Sequence, residues 1–310
     1  MFDKLIDEYD RRYGIRHEHL AEIARNNYEN GRSNPNAQTR HWTFGNMAFA
    51  EDDEENPVVE GRVRRQDCGQ ITDGAAVVFL ASKRFAEEYC ARSGREAADL
   101  SRIEGWGHRT ATMLQSEKFR DSEGQPYVLP HVRGTLTDAY RRAGISGVDQ
   151  LDLMEVHDCF SMTEYMIIDH AGITAPGESW KAVEDGSIRR TGRIPVNPSG
   201  GLIGLGHPVG ATGTRILLDH HLKLAKIRPD QVRGYDKEEF THMAVAVNVL
   251  SGAADCGLGI FAAAKALGLD FVPLARERYD LIIPRQWADD PKISTVLELI
   301  RSKGLQERIR

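Results

Sequence analysis

The sequence predicts an α/β fold with a layered core. Short apolar runs alternate with amphipathic stretches of helical period along the whole chain, and glycine-containing turns separate them. The chain has 310 residues, 41% of them hydrophobic, which is enough to bury a sizeable core in one large or two modest domains. No internal repeat breaks the alternation.

Residues 2–34 read as two helices, with Leu5, Tyr9 and Tyr13 on one stripe and Leu20, Ile23, Ala24 and Tyr28 on the next. Residues 31–66 read as a solvated loop, with an acidic run at Glu51 to Glu55 and apolar anchors at Trp42, Phe44, Met47 and Phe49. After the turn signal Asp73-Gly74, the apolar run Ala75 to Ala81 predicts a buried strand or a buried helical segment. A strand follows at Arg102 to His108, then a helix from Leu136 to Ala143 ended by Gly144, then a strand at Leu151 to Val156. Ser161 and Glu164 have capping-box spacing, so the chain turns sharply from strand to helix at residues 157–160. Residues 173–193 form a polar connector. Beyond it lie helices at Thr214 to Lys226, Thr241 to Leu250, Ala262 to Leu267 and Ile293 to Ile309. Strands are expected at Gln231 to Tyr235, Asp255 to Ile260, Phe271 to Leu274 and Tyr279 to Pro284.

A net charge of −6 leaves no basic stripe of the kind that phosphate neutralisation requires, which argues against nucleic acid as a partner. Charged residues interrupt the opening segment, so it does not read as a signal peptide, and no apolar run is long enough for a bilayer. Cys68, Cys90, Cys159 and Cys256 form no CxxC pair, so neither a zinc site nor a disulfide framework is expected. A reducing cytoplasm is the expected location.

The densest chemical signal is Asn197 to Gly213, NPSGGLIGLGHPVGATG, in which six glycines let the backbone approach another segment closely. It delivers His207, held by Pro208, as a base that titrates near neutrality. Upstream, Glu155 to Ser161 reads EVHDCFS. In their chain order these two segments resemble the signatures of the thiolase family, Glu155 to Ser161 being similar to the element of its sterol-carrier-protein type. Cys68 with Asp73 to Ala76, Tyr13-Gly14 and Gly192 to Asn197 extend the similarity over residues 1–213.

The resemblance implies an acyl-CoA acyltransferase of the acetyl-CoA C-acetyltransferase type, in lipid metabolism. Its substrate is a coenzyme A thioester, and no other cofactor or metal is implied. His207 would activate a nucleophilic thiol, His157 would bind the thioester oxygen, and Cys159 would serve as acid and base at the substrate α-carbon. The dipole of the following helix would favour a thiolate at Cys159. Cys68 and Cys90 read as structural.

Two departures qualify these expectations. The family's acyl-accepting cysteine belongs to an N-terminal half with no counterpart here, so the chain is expected to be inactive alone, with an exposed apolar face and a partner chain as one route to the missing half. From residue 214 onward the pattern resembles a partial periplasmic-binding-protein-like domain, as found in molybdate-type regulators. Two domains are therefore expected: 1–213, a thiolase-like C-terminal half of layered αβα form, and 214–310. Cys256 falls in the second pattern. There Thr214, Arg215 and Thr241 would bind a small oxyanion. The alternatives to an acyltransferase fragment are a non-catalytic oxyanion-binding module, or a chimeric reading frame without an evolved function.

Overall fold

The computed structural model describes residues 2–224, 242–252 and 261–271, with single positions between Pro291 and Ser302. The strands expected at 231–235, 255–260 and 279–284, most of that at 271–274, the closing helix as a continuous element, and residues Thr241 and Cys256 lie outside the described residues.

Helix α1 (Phe2–Tyr13) and helix α2 (His17–Arg32) form as their apolar stripes require, and Leu5, Ile6, Tyr9, Leu20, Ile23 and Tyr28 are all buried. The loop after α2 is more structured than a solvated loop. Tyr28, Trp42, Phe44 and Phe49 form an aromatic cluster, and strands β1 (Val58–Glu60) and β2 (Val63–Arg64) pair antiparallel across Gly61.

Residues 75–81 correct the expectation of a buried strand or helix. They are irregular, without helix or ladder, with Phe79 95% and Leu80 79% exposed. Apolar composition drives burial only where a second surface meets it. No described element covers this run. Helix α3 (Lys83–Ser93) and helix α4 (Gln115–Asp121) follow, neither of which the apolar pattern marked. The strand expected at 102–108 is also irregular, because this segment lies against a helix: a Cβ on Gly105 or Gly107 would meet the carbonyl oxygens of Ala139 or Thr135. That helix, α5 (Pro130–Ala143), begins on a proline and ends at Gly144 in the left-handed region (φ 73°).

Helix α6 (Ser161–Ala171) is the centre of the core. Met162, Tyr165, Met166 and Ile168 are buried on several faces and pack with Tyr9, Ile23, Val128, Val156 and Ile194. Fully burying each such side chain contributes roughly 1.5–3 kcal/mol. No capping box forms at its start, contrary to the spacing. Phe160 occupies the N-cap, the Ser161 hydroxyl donates to Asp67 (2.7 Å), and Glu164 turns inward. Helix α7 (Ser179–Glu184) lies within the expected connector. Behind α6, Tyr9 and the backbone N–H of Gly177 donate to Asp169 (2.8 and 2.9 Å), while His170 bonds Asp169 through Nδ1 and accepts from the Leu129 N–H through Nε2 (3.1 Å). These buried bonds tie α1, α6 and the start of α5 together.

Helix α8 (Gly201–Leu205) crosses α2 glycine against glycine. A Cβ on Gly31 would lie 3.2 Å from the backbone of Gly204, and one on Gly204 would lie 2.3 Å from the Asn27 carbonyl oxygen. Helix α9 (Thr212–Leu224) leads toward helix α10 (His242–Leu250) and helix α11 (Phe261–Ala266), all three within about two residues of expectation. The α/β class holds, with extended segments meeting through single bridges between helices. Cys68 bridges Phe160 antiparallel, while Ile71 with His207 and Met154 with Val196 are parallel.

Candidate functional site

Residues 68–72 run between the two motif segments and hold them side by side. On one edge the Gly69 N–H donates to the Cys159 carbonyl (2.8 Å). Toward the other motif, the His207 N–H donates to the Gln70 carbonyl (2.7 Å) and the Thr72 N–H to the His207 carbonyl (3.1 Å). The imidazoles of His157 and His207 thereby meet edge to face, 5.3 Å between centroids. His157 is exposed, whereas His207 and Cys159 are partly buried.

The Thr212 hydroxyl, on the first turn of α9, lies 2.8 Å from His207 Nδ1. One nitrogen of the ring is thus occupied, and Nε2 is left to exchange a proton. Partial burial holds His207 below the ordinary histidine range, and repulsion from His157 and Arg215 adds to this. The protein atoms around His157 lower it as well by excluding part of its water, although the ring keeps an exposed edge. Both rings are therefore neutral at pH 7, which suits one as base and the other as N–H donor.

Cys159 departs from the electrostatic expectation. Burial pushes its thiol up to about 11, outweighing a lowering contribution from Thr163, and the helix dipole yields no thiolate. Cys68 is pushed up to about 12, again mainly by burial. As protonated thiols both are poor nucleophiles at neutral pH.

Beneath the surface, Asp158 anchors the turn. It accepts the N–H groups of Leu202 (2.7 Å) and Ile203 (3.2 Å), two of the free donors at the start of α8. The backbone of Asn197, the one non-glycine with positive φ among the described residues (49°), is braced by its side chain, which accepts from the Val156 N–H (2.8 Å). Glu155 accepts from the Ser199 N–H and hydroxyl (2.9 and 2.7 Å). Each of these contacts joins the His157 segment to the glycine loop.

Of the residues expected to bind an oxyanion, Arg215 donates to the Gly206 carbonyl (2.8 Å), beside His207, and Thr214 lies half-buried at the start of α9. Thr212, Asn27 and Asn197 were not singled out from the sequence, and Glu164 was read only as a helix-capping residue. The positive-φ asparagine within NPSGG was the one available signal. A groove of about 680 Å³ lined by Trp42, Phe44, Arg65 and Gln70 shares Gln70 with the 68–72 frame, but His157, Cys159 and His207 do not line it. Among the described residues no cluster of His, Cys, Asp and Glu is arranged to hold a metal ion, and no helix is long and apolar enough to cross a membrane.

Comparison with known proteins gives two family matches: thiolase C-terminal domain-like over residues 118–237, and PBP superfamily domain over residues 209–301. The chain is similar to acetyl-CoA acetyltransferase of Methanothermobacter thermautotrophicus, 34% identical over 211 residues, covering 65% of this chain and 48% of that protein. It is also similar to human sterol carrier protein 2, 29% identical, covering 69% of this chain and 37% of that protein. A third relative is a benzoylsuccinyl-CoA thiolase subunit of Thauera aromatica, 28% identical, covering 64% of this chain and 47% of that protein. The chain thus spans about half or less of the length of these relatives. A solved Ltp2-ChsH2(DUF35) aldolase shares the fold, with a TM-score of 0.55, 18% identity, and coverage of 74% of this chain and 56% of that one. Both signature segments meet in one site, and the chain is similar there to the C-terminal portion of thiolase-family proteins, followed by a region that matches the PBP superfamily domain.

Proposed function

We propose that this chain supplies the acid-base face of a thiolase-type acyl transfer on a coenzyme A thioester. The observation that carries the reading is the meeting of two imidazoles, His157 and His207, beside Cys159 on one backbone frame. In this reading an incoming thiol gives its proton to His207 Nε2 as its sulfur bonds the 3-oxo carbon of a 3-oxoacyl thioester. The 3-oxo oxygen takes up the displaced electron pair and returns it as the bond to the α-carbon breaks, and the electrons of that bond pass to the thioester oxygen, which accepts a hydrogen bond from the His157 ring N–H. Cys159, protonated at rest, returns a proton to the substrate α-carbon when the carbon–carbon bond is cleaved.

The acyl-accepting thiol is assigned to a group other than the described cysteines. The raised Cys68 and Cys159 thiols support this, as does the sequence context of Cys90. A partner chain carrying that thiol would lie on the exposed run at 75–81. The chain alone is then inactive. We put the boundary between the two regions at residues 213 and 214; the start of the PBP superfamily match at residue 209 supports it, while the thiolase match runs on to residue 237. A cytoplasmic setting in lipid metabolism completes the reading.

Two measurements test it. Acetoacetyl-CoA should raise the melting temperature of the purified chain, and a chain that no acyl-CoA stabilises would overturn the substrate assignment. Thiolysis of acetoacetyl-CoA by the chain alone should equal that of His207→Ala, and turnover well above that variant would overturn the assignment of the nucleophile. The match over 209–301 supports a second reading, a module that binds a small oxyanion through Thr214, Arg215 and Thr241. It requires stabilisation by molybdate, tungstate or sulfate and fails if none has an effect.

A further inference from the structure

Directly under the His157–Cys159 turn lies a buried polar junction that acyl transfer chemistry does not use. Asn27, Asp158, Glu164 and Asn197 are all fully buried. The Asn27 amide donates to Asp158 Oδ2 (2.9 Å) and to Glu164 Oε2 (2.6 Å), and the Asn197 amide donates to the same Glu164 oxygen (2.7 Å). Asp158 has the two α8 N–H groups in addition. Glu164 has no such support. Both of its donors converge on Oε2, while Oε1 and the Asn27 oxygen meet no donor among the described residues.

The charged groups that face Glu164 are Asp158 and Glu155, both acidic. From α2 it meets the Asn27 amide, from the 194–199 segment the Asn197 amide, and α8 contributes backbone N–H groups to Asp158. No ion pair reaches either buried carboxyl among the described residues. Two carboxylates without a cation at full burial are costly, and a proton on the less well served one removes that cost.

We infer that Glu164 is a neutral carboxylic acid in the folded protein and, with Asn27, is the positioning pair that locks the Asp158 turn, and so His157 and Cys159, onto the glycine loop bearing His207. Its consequence for catalysis rests on the acyl-transfer reading above, but the protonation state does not. Burial and the neighbouring carboxylate push Glu164 up to about 8 and Asp158 up to about 7, in the same direction as the geometry.

The sign follows from linkage. In the unfolded chain Glu164 loses its proton at the ordinary carboxylate value, so between there and about 8 the folded state holds one proton more, and stability falls as pH rises through that window. Glu164→Gln reproduces the neutral acid. The melting temperature of the wild type should fall steeply from pH 6 to pH 9 while that of Glu164→Gln stays comparatively flat, and parallel curves would overturn the inference. A second measurement covers a variant that fails to fold. In protein labelled with ¹³C at glutamate carboxyls, one resonance should still report the protonated form at pH 7, and its absence overturns the inference. Positioning is read from the imidazole resonances of His157 and His207. These should move in Glu164→Ala and stay in Glu164→Gln, and equal movement in both variants refutes the positioning role. None of these readouts requires turnover, so failure of the acyl-transfer reading would leave them interpretable.

Discussion

Replacing Gly204 by alanine tests how the reactive loop is held. The new Cβ would lie 2.3 Å from the carbonyl oxygen of Asn27 and 2.9 Å from its carbonyl carbon, both backbone atoms of α2. Ordinary contact requires a separation of at least 3.4 Å, so α8 must move by about 1 Å relative to a helix that is itself packed against α6. Overpacking of this kind costs roughly 1–3 kcal/mol. In a chain of 310 residues that is a fall of about 2–5 °C in melting temperature. Gly213 is the internal control, since a Cβ there meets nothing within 4 Å and the residue lies in α9, where alanine is favoured over glycine by up to about 1 kcal/mol. Calorimetry on the two variants should give shifts of opposite sign. An unchanged melting temperature for Gly204→Ala would refute the glycine-on-glycine contact as the support for α8.

Three further outcomes are expected. Tyr9→Phe removes the buried hydroxyl donor to Asp169 and should cost about 1–3 kcal/mol in denaturant unfolding, whereas no loss would show that the bond is not formed. Alkylation of Cys159 by iodoacetamide, followed by peptide mass spectrometry, should be slow at pH 7 and rise about tenfold per pH unit toward its thiol value of about 11, because only the thiolate reacts; a plateau reached near pH 8 contradicts the burial argument. Thr212→Val deletes the partner of His207 Nδ1 and should alter the ¹⁵N resonances that report the tautomer of His207, while Thr212→Ser restores them; identical spectra in all three proteins refute the contact.

The helices were largely legible because their signals are local. The stripes of α1 and α2, the glycine end of α5 and the turn into α6 each depend on residues a few positions apart, whereas α5 starts at Pro130, six residues before the expected Leu136. The strands were less so. At 75–81 the same apolar composition that predicts burial is exposed, and at 102–108 the glycines serve close approach to α5 instead of a ladder. Ser161 and Glu164 had the spacing of a cap, yet each found a partner more than thirty residues away, Asp67 for one and Asn27 and Asn197 for the other.

By itself, the sequence determined the two opening helices, those at 161–171, 212–224, 242–250 and 261–266, the two signature segments and the identity of His157, Cys159 and His207, because motif chemistry and helical period are written in neighbouring residues. Only the tertiary structure decided that Thr212 faces His207, that residues 68–72 join the two segments and that the Cys159 thiol is pushed up. It also placed Asp158 and Glu164 beside one amide of α2. Desolvation and hydrogen bonding across long sequence separations depend on what lies opposite each group once the chain has packed, and no local pattern encodes that.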